Sequence, residues 1–574
     1  MSSANLIMAS AGVSSGPSLP DGSSWAPRRG YVYPLPSAQI PRSFVYAPEL
    51  GLYITARSSG GIFTSTDLKS WTLRSTGTTN ALYSLVWTGS QVVAVGATGT
   101  IITSQDCITW TTRTSGTTAI LTSIVWTGSQ LVVAGSGATI LTSQDGITWT
   151  SRNTGTVVFY SIVNNGATVI AVGSGTSIFT STDHGISWTS TTFGASATHQ
   201  GAVWNGSLYV VVGTSGKIIT SPDGVTWTTR TSGVSTSLVG ISWNGSTFLV
   251  GTTNGNILTS TNGTSWTTTR ILPNSSSTSI INSVYLNGYR IITTASNQLT
   301  FYSSDDVTWY YSCGGSLQSA TYSSSLGVYV VVGFVGIIIK STDGINWVWS
   351  NQLGTSPLRG IVWTGSQFAI AGGSNVLTSS DGNTWVSVTA ALVNLYSITW
   401  SGSLLAAVGE SGTIVTSPDG TTWTSRTSGT TTWLYGITAS NSQLVAVGAS
   451  GRVLTSPDGV TWTIRTSGTA NILYSVVWTG SLLVAVGEIG TVLTSPDGIT
   501  WTTRTSGTPT TLFNVTWTGS HLIAVGSAGV LITSPDGINW TLRTSGTSQN
   551  LSGVTASNTL AIAVGANGTI NTNP

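Results

Sequence analysis

The stretch TSPDGVTWTTRTSG, from Thr220 to Gly233, decides the fold because the chain repeats it. Close copies begin at Thr455, Thr494 and Thr533. The acidic position of each copy recurs about every 39 residues, a period typical of propeller blades and solenoid turns. These box positions are Asp21, Asp67, Asp106, Asp145, Asp183, Asp223, Asn262 (an Asn replacement), Asp305, Asp343, Asp381, Asp419, Asp458, Asp497 and Asp536.

One repeat unit, residues 473–507, contains four short β-type runs separated by turn residues. LYSVVW, LLVAVG, TVLTS and TWTTRTS read as strands, and TGS, EIG and PDG read as turns. No helical periodicity is present. The sequence therefore predicts an all-β fold of tandem β-propellers with four-stranded blades, about 14 in number.

The two ends of the chain complement each other. The last unit stops at GTINTNP after its third strand, whereas LPDGSSWAPR near the start is a box and a fourth strand without a preceding unit. We expect the N-terminal strand to close the last blade, because an unpaired edge strand invites aggregation.

Fourteen blades exceed an ordinary ring of about four to eight, so we favour two seven-bladed rings, and a six-plus-eight split stays open. The predicted parts are an N-terminal anchor or tail (1–17), the closing strand of the second propeller (18–28), a connector (29–39), the first propeller (40–312, blades 1–7) and the second propeller (313–574, blades 8–14).

The repeated S-x-D-G-x-x-W resembles the Asp-box (BNR) repeat, and STDHGISW from Ser181 to Trp188 has that family's usual spacing. The resemblance covers essentially the whole chain. It implies a propeller in which each box is a turn between the third and fourth strands, at the rim of the blade. Proteins with this repeat include sialidases, two-ring xyloglucan-cleaving glycosidases, sortilin-type receptors, photosystem II assembly factors, and phage and bacterial surface proteins.

The composition excludes several function classes. Charged residues are 6% of the chain, against about 25% in typical proteins, and the net charge is +2. No nucleic-acid partner is expected from that charge, and no membrane insertion, because no apolar run is long enough to span a bilayer. Two cysteines make no disulfide framework, and no metal-ligand spacing is found. We therefore predict no metal and no cofactor.

The boxes leave few carboxylates for catalysis. Of the 17 acidic residues, all but Glu49, Asp306, Glu410 and Glu488 are box residues. A glycosidase needs two positioned carboxylates. Glu410 and Glu488 occupy the same turn two blades apart, and we interpret them as ordinary turn residues or as members of one binding face.

Aromatic and basic residues follow the repeat as well. Most arginines follow a box, as Arg230 does, and are expected to be exposed or to contact neighbouring turns. Trp433 lies in a loop between blades, where binding is often found, and it is the aromatic residue that we favour as a ligand contact. Eight tryptophans end first strands, and we expect them to pack between blades rather than stack on sugars: Trp87, Trp126, Trp204, Trp243, Trp363, Trp400, Trp478 and Trp517.

The nearly uniform loops favour a non-enzymatic structural or adhesion protein. We predict a phage virion protein associated with tail or fibre, or a bacterial surface propeller, which binds a glycan or protein receptor. Its partners would be other virion or surface proteins, and oligomerisation is left open. The start of the chain lacks a signal peptide pattern, so we expect a virion or cell-surface location reached without one. The alternatives are a two-propeller glycoside hydrolase and, below it, an assembly factor resembling those of photosystem II.

Overall fold

The chain folds into short antiparallel strands joined by tight turns. The computed structural model describes residues 26–31, 41–68, 70–152, 155, 157–192, 198–270, 279–294, 299–305, 308–313, 315–352, 356–557 and 559–573. Within these ranges there are ten four-stranded sheets and two eight-stranded sheets, each of the latter being two blades joined edge to edge. The predicted all-β fold of tandem four-stranded propeller blades is confirmed.

The strands of blades 1–7 follow one another in chain order. They are β2 (Pro41–Ala47), β3 (Leu52–Arg57), β4 (Ile62–Ser65), β5 (Ser70–Arg74); β6 (Leu82–Trp87), β7 (Val92–Gly96), β8 (Ile101–Ser104), β9 (Thr111–Arg113); β10 (Leu121–Trp126), β11 (Leu131–Gly135), β12 (Ile140–Ser143), β13 (Thr150–Ser151); β14 (Phe159–Asn164), β15 (Val169–Gly173), β16 (Ser177–Ser181), β17 (Thr189–Thr192); β18 (His199–Trp204), β19 (Tyr209–Gly213), β20 (Ile218–Ser221), β21 (Thr228–Arg230); β22 (Leu238–Trp243), β23 (Phe248–Thr252), β24 (Asn256–Ser260), β25 (Thr267–Arg270); β26 (Ile280–Leu286), β27 (Tyr289–Thr294), β28 (Thr300–Ser303) and β29 (Tyr310–Cys313).

Blades 8–14 continue the pattern, and the last blade takes its fourth strand from β1 (Ala26–Tyr31). The strands are β30 (Leu317–Ser323), β31 (Val328–Gly333), β32 (Ile337–Ser341), β33 (Val348–Gln352); β34 (Leu358–Trp363), β35 (Phe368–Gly372), β36 (Asn375–Ser379), β37 (Val386–Thr389); β38 (Leu395–Trp400), β39 (Leu405–Gly409), β40 (Ile414–Ser417), β41 (Thr424–Arg426); β42 (Leu434–Ala439), β43 (Leu444–Gly448), β44 (Val453–Ser456), β45 (Thr463–Arg465); β46 (Leu473–Trp478), β47 (Leu483–Gly487), β48 (Val492–Ser495), β49 (Thr502–Arg504); β50 (Leu512–Trp517), β51 (Leu522–Gly526), β52 (Leu531–Ser534), β53 (Thr541–Arg543); β54 (Leu551–Ala556), β55 (Ala561–Gly565) and β56 (Ile570–Asn573).

Helical structure in the described ranges is confined to single 3-10 turns. Most connect the second and third strands of a blade, and none is long and apolar enough to span a membrane. They are Pro48–Leu50, Ala97–Gly99, Thr214–Gly216, Phe334–Gly336, Glu410–Gly412, Ala449–Gly451, Glu488–Gly490, Ser527–Gly529 and Ala566–Gly568.

The core lies between adjacent blades. The second strand of a regular blade is buried along its whole length, as in β47, because a neighbouring blade covers each face. This explains why its sequence is a continuous apolar run instead of an alternating one. Side chains of β47 and β48, such as Val484 and Val492, pack on Leu512 and Leu522 of the next blade.

Contacts between first strands show how the blades are grouped. β2 packs beside β26, where the Asn282 Nδ2 atom donates to the Arg42 carbonyl oxygen at 3.2 Å. β30 packs beside β54, and nearby the Tyr329 hydroxyl donates to Ser557 Oγ at 2.6 Å. From these contacts we infer an N-terminal ring (β2–β29) and a C-terminal ring (β30–β56 with β1). The exact domain boundaries stay predictions.

Two sheet junctions connect the rings. Strand β1 pairs antiparallel with β56 and parallel with β5, with Ala26 opposite Thr572 and Gly30 opposite Ser70. At the other junction β29 pairs with β33. β1 runs to Tyr31, beyond the boundary predicted at residue 28. Residues 1–17 and the box residue Asp21 lie outside the described ranges.

Candidate functional site

Each box in the described ranges is a network of local hydrogen bonds, shown here for blade 5. The Ser221 hydroxyl donates to Asp223 Oδ1 at 2.9 Å, and the amides of Val225 and Thr226 donate to the same oxygen at 2.8 and 2.7 Å. The Gly224 amide donates to Ser221 Oγ at 2.8 Å. The carboxylate therefore holds a tight turn, which is the structural role that the sequence favoured.

The electrostatics of the box agree with this role. Amide donation, most of all from Thr226, lowers the pKa of Asp223 to about 2. Asn262 accepts the equivalent amide bonds from Thr264 and Ser265, both at 2.9 Å, so the network does not require a charge. A carboxylate held ionised, with one oxygen accepting three hydrogen bonds from its own turn, is a poor proton donor.

The box with one extra residue keeps the same donors. In that box the amides of Ile186 and Ser187, the two residues before the tryptophan, donate to Asp183 Oδ1 at 3.1 and 2.9 Å. His184, the extra residue, takes the left-handed conformation with φ of 60°. The insertion is therefore absorbed within the turn.

Tryptophan and arginine complete the unit. The Trp540 Nε1 atom donates to the Gly537 carbonyl oxygen at 3.0 Å, and several other box tryptophans do the same. The Arg230 Nε atom donates to Thr220 Oγ1 at 2.9 Å, across to the third strand of its own blade. The sequence did not suggest this contact within the blade. The same bond is made by Arg74, Arg113, Arg152, Arg426, Arg465, Arg504 and Arg543.

The tryptophans that end first strands pack partly buried against the clusters between blades, as expected. This holds for Trp87, Trp126, Trp204, Trp243, Trp363, Trp400, Trp478 and Trp517.

The residues predicted for binding lie together at one mouth of the central cavity in the C-terminal ring. This cavity has a volume of about 540 Å³ and is lined by residues from the first strands of all seven blades of that ring. Glu410 and Glu488 each begin a 3-10 turn beside it. Trp433 lies in the loop before β42 and is 43% exposed. We use the name C-terminal mouth for the rim of this cavity that carries Glu410, Glu488 and Trp433.

An aromatic arc lines the C-terminal mouth. It consists of Tyr396, Tyr435, Tyr474 and Phe513, each the second residue of its first strand, with successive ring centroids 5.2, 5.4 and 5.5 Å apart. Trp433 stacks beside Tyr396 at 5.9 Å. The sequence analysis missed the arc, although LYS, LYG, LYS and LFN at the start of four successive units carry the signal.

Both predicted glutamates bind tyrosines of the arc. Glu410 Oε1 accepts hydrogen bonds from Asn394 Nδ2 at 2.8 Å and from the Tyr396 hydroxyl at 3.0 Å. The Asn394 amide is the main cause that lowers the pKa of Glu410, and burial together with the Glu410 bond raises the pKa of Tyr396 to about 12.

Glu488 repeats this arrangement two blades further on. Its Oε2 atom accepts from the Ile472 amide at 3.1 Å, and its Oε1 atom lies 3.5 Å from the Tyr474 hydroxyl, a long hydrogen bond. Burial, followed by the nearby charge of Glu488, raises the pKa of Tyr435 and of Tyr474.

One cation already lies on the arc. The Arg359 guanidinium carbon is 4.7 Å from the Tyr396 ring centroid and 5.3 Å from that of Phe334. Arg359 occupies the same second position of its first strand at which the following blades carry tyrosine. It is the one charged residue that lines this cavity in the described ranges.

The remaining unassigned carboxylates do not join this site. Glu49 lies in the turn after β2, at the opposite end of a first strand in the other ring. Asp306 lies outside the described residues. Among the residues that the structure describes, no group of three His, Cys, Asp or Glu side chains could hold a metal ion.

The N-terminal ring has a smaller counterpart of the mouth. Its central cavity of about 250 Å³ is also lined by all seven first strands, and it includes Arg42, Tyr83 and Tyr160. The Arg42 guanidinium carbon is 5.8 Å from the centroid of the Tyr83 ring. Blade 2 places Ala97 at the start of its 3-10 turn, where blades 10 and 12 place glutamate.

Comparisons with known proteins agree with the architecture. A family model described as the DUF6242 beta propeller domain matches residues 161–312. No curated protein matches the chain. Among solved structures, the GH74 enzyme of Niastella koreensis is 17% identical with a TM-score of 0.50, covering 95% of this chain and 98% of that one.

Two further solved structures illustrate the range of propellers that resemble the chain. The GH74 xyloglucanase from Xanthomonas campestris is 12% identical with a TM-score of 0.51, covering 96% of this chain and 100% of that one. YCF48 from Cyanidioschyzon merolae is 16% identical with a TM-score of 0.38, covering 45% of this chain and 95% of that one. At such identities the two GH74 structures indicate a shared fold alone. The chain is an all-β protein built from tandem β-propeller blades.

Proposed function

We propose that this protein is a non-enzymatic adhesion propeller of a phage virion or a bacterial surface, and that it binds a glycan receptor at the C-terminal mouth. The observation that carries the proposal is Trp433, a large exposed ring stacked on an aromatic arc, with carboxylates and amides beside it. Aromatic faces take the apolar face of a sugar, and the polar groups around them fix its hydroxyls.

The distribution of acidic groups supports binding rather than hydrolysis. The boxes hold their carboxylates in turns, and Glu410 is kept ionised by its donors. A glycosidase needs one carboxylic acid that stays protonated until it gives up its proton, which calls for a raised pKa. Glu410 is shifted in the opposite direction, which disfavours it as that acid.

A glycan array with the full chain, followed by titration of the best ligand, tests the binding proposal. Trp433→Ala should weaken binding at least about tenfold, because truncating a tryptophan at a binding centre removes most of its contact. Ile120→Ala is the matched control, since Ile120 precedes the first strand of its blade at the same repeat position and is also 43% exposed. Unchanged affinity in Trp433→Ala, or no glycan bound by the wild type, would overturn this proposal.

The location can be tested separately by mass spectrometry of purified virions and of bacterial surface fractions. We expect to find the protein either in the purified virions or in the bacterial surface fractions. Its confinement to other cell fractions would exclude the adhesion role, even if a glycan were bound.

A glycoside hydrolase is the second candidate. The end-to-end fold likeness to two GH74 structures and the placement of Glu410 and Glu488 at one mouth favour it. The double variant Glu410→Gln/Glu488→Gln should then lose cleavage of a polysaccharide that the wild type cleaves. We expect no cleavage by the wild type. Cleavage by the wild type that is abolished in the double variant would replace the adhesion proposal with the hydrolase.

A further inference from the structure

The C-terminal mouth combines aromatic faces with two carboxylates. Glu410 accepts a hydrogen bond from Tyr396, and Glu488 lies 3.5 Å from the Tyr474 hydroxyl. Arg359 is the one charged residue that lines the cavity itself in the described part of the chain. Among charged groups, Glu488 acts most strongly on the hydroxyls of Tyr435 and Tyr474, although the whole chain has a net charge of +2. A cation drawn to this mouth would be drawn by the site and not by the protein as a whole.

The tyrosines of the arc are arranged to attract cations. The face of an aromatic ring carries negative electrostatic potential, and a cation within about 6 Å of the ring centroid is stabilised by it. A phenol hydroxyl that donates to a carboxylate pushes electron density into its ring and strengthens this attraction. Tyr396 donates in this way at 3.0 Å, and the Tyr474 hydroxyl lies 3.5 Å from Glu488.

Arg359 shows that the arc accommodates a cation in one half of the mouth. Its guanidinium lies between Phe334 and Tyr396, beside the half that contains Glu410. The other half repeats the arrangement with Tyr435, Tyr474 and Glu488, and no charged lining residue of the described chain fills it. The N-terminal cavity lacks this combination, because Arg42 is the charged residue among its described lining and Ala97 replaces the glutamate.

We infer that the glycan bound at the C-terminal mouth carries free amino groups. Its ammonium lies against Tyr435 and Tyr474 with Glu488 as the counter-ion, and a neighbouring sugar face contacts Trp433. This inference rests on the proposed function and narrows the ligand to amino sugars that are not N-acetylated. An amide has neither the positive charge nor the proton donors that Glu488 and the ring faces would recognise.

Calorimetric titration of the full chain with two matched probes tests the inference. The probes are a β-1,4-linked glucosamine hexamer and the corresponding N-acetylglucosamine hexamer, at a pH where the amine is protonated. We expect the glucosamine hexamer to bind at least tenfold more tightly, and salt or tetramethylammonium to weaken its binding.

Variants test which residues cause the preference for the glucosamine hexamer. Glu488→Gln and Tyr474→Leu should each remove the preference for the amino hexamer, whereas Tyr83→Leu, at the same repeat position in the N-terminal ring, should keep it. Glu488→Gln is nearly isosteric and keeps the test informative if Tyr474→Leu unfolds, which a thermal melt would reveal.

The outcomes separate the two proposals. Equal affinity for both hexamers, a preference for the N-acetylated one, or a preference that survives Glu488→Gln would overturn the inference and leave glycan binding intact. Binding of neutral glycans alone would also overturn the inference and leave glycan binding intact. No binding to either hexamer and none across a glycan array would overturn both.

Discussion

At the scale of single residues, the recurring aspartate is a turn-former. Each described box places one carboxylate or amide oxygen where the chain turns from the third strand into the fourth. Blade 6 places Asn262 there and builds the same network. The geometry of the oxygen matters more than its charge.

The role of the acceptor oxygen predicts different losses of stability for two substitutions at Asp223. Asp223→Ala removes the acceptor for two amides and a hydroxyl, and should lower the free energy of unfolding by about 1 kcal/mol, since such exposed bonds are partly replaced by water. Asp223→Asn should lose less than Asp223→Ala, because it keeps the acceptor that blade 6 uses and gives up only the charge. Denaturant unfolding of both variants measures the difference, and equal loss in the two would mean that the charge carries the effect.

Residue roles were only partly predictable from the sequence. Glu410 and Glu488 could be placed in equivalent turns because the repeat fixes register, and the structure brings both to one mouth. The hydrogen bond between a box arginine and a threonine of the third strand was not predicted, because Thr220 and Arg230 become neighbours only through the pairing of β20 with β21. The arc was missed because a tyrosine in a strand signals burial as readily as a binding surface.

At the scale of elements, the repeat unit was predicted with one systematic error. The first three strands of residues 473–507 agree with the expectation, but the fourth is only Thr502–Arg504. The box tryptophan does not extend that strand, because its indole turns back to the Gly498 carbonyl oxygen. Side-chain hydrogen bonding, which alternation of residue types does not reveal, sets the strand limit.

Strand β1 offers a prediction at this scale. Removing residues 1–31 would leave β56 without its outer partner and β5 without its junction strand. We expect a lower thermal midpoint and concentration-dependent association, because exposed edge strands pair with other chains. Light scattering and thermal melts measure both effects.

Removal of residues 1–25 is the matched control, because it leaves β1 in place. A truncation at residue 31 that stays monomeric and melts with the wild type would contradict a closing role for this strand.

At the scale of the whole molecule, many small box contributions act together. Amide donors lower the pKa of Asp106, Asp381 and Asp536 to about 2, as they do for Asp223. A carboxyl with a lowered pKa in the folded state stabilises that state above its unfolded pKa of about 4, and the contribution disappears as the pH falls toward 2. These four carboxyls are exposed and each contributes little, but the box recurs from blade to blade.

We therefore expect the denaturant midpoint to be constant above about pH 5 and to fall steeply between about pH 4 and pH 2. Unfolding curves across this range, monitored by tryptophan fluorescence, provide the measurement. A midpoint at pH 3 equal to that at neutral pH would show that box ionisation does not contribute to stability.

The bridging position of β1 also has a consequence for biosynthesis. More than five hundred residues separate β1 from β56, its partner in the last blade. At roughly 5–20 residues per second the ribosome needs about half a minute to two minutes to make that interval. During this time the edge of β1 that will face β56 stays unpaired. The N-terminal ring contains all its own strands and can close earlier. A chaperone that shields β1 during translation would therefore keep its free edge from pairing with other chains until the last blade is made.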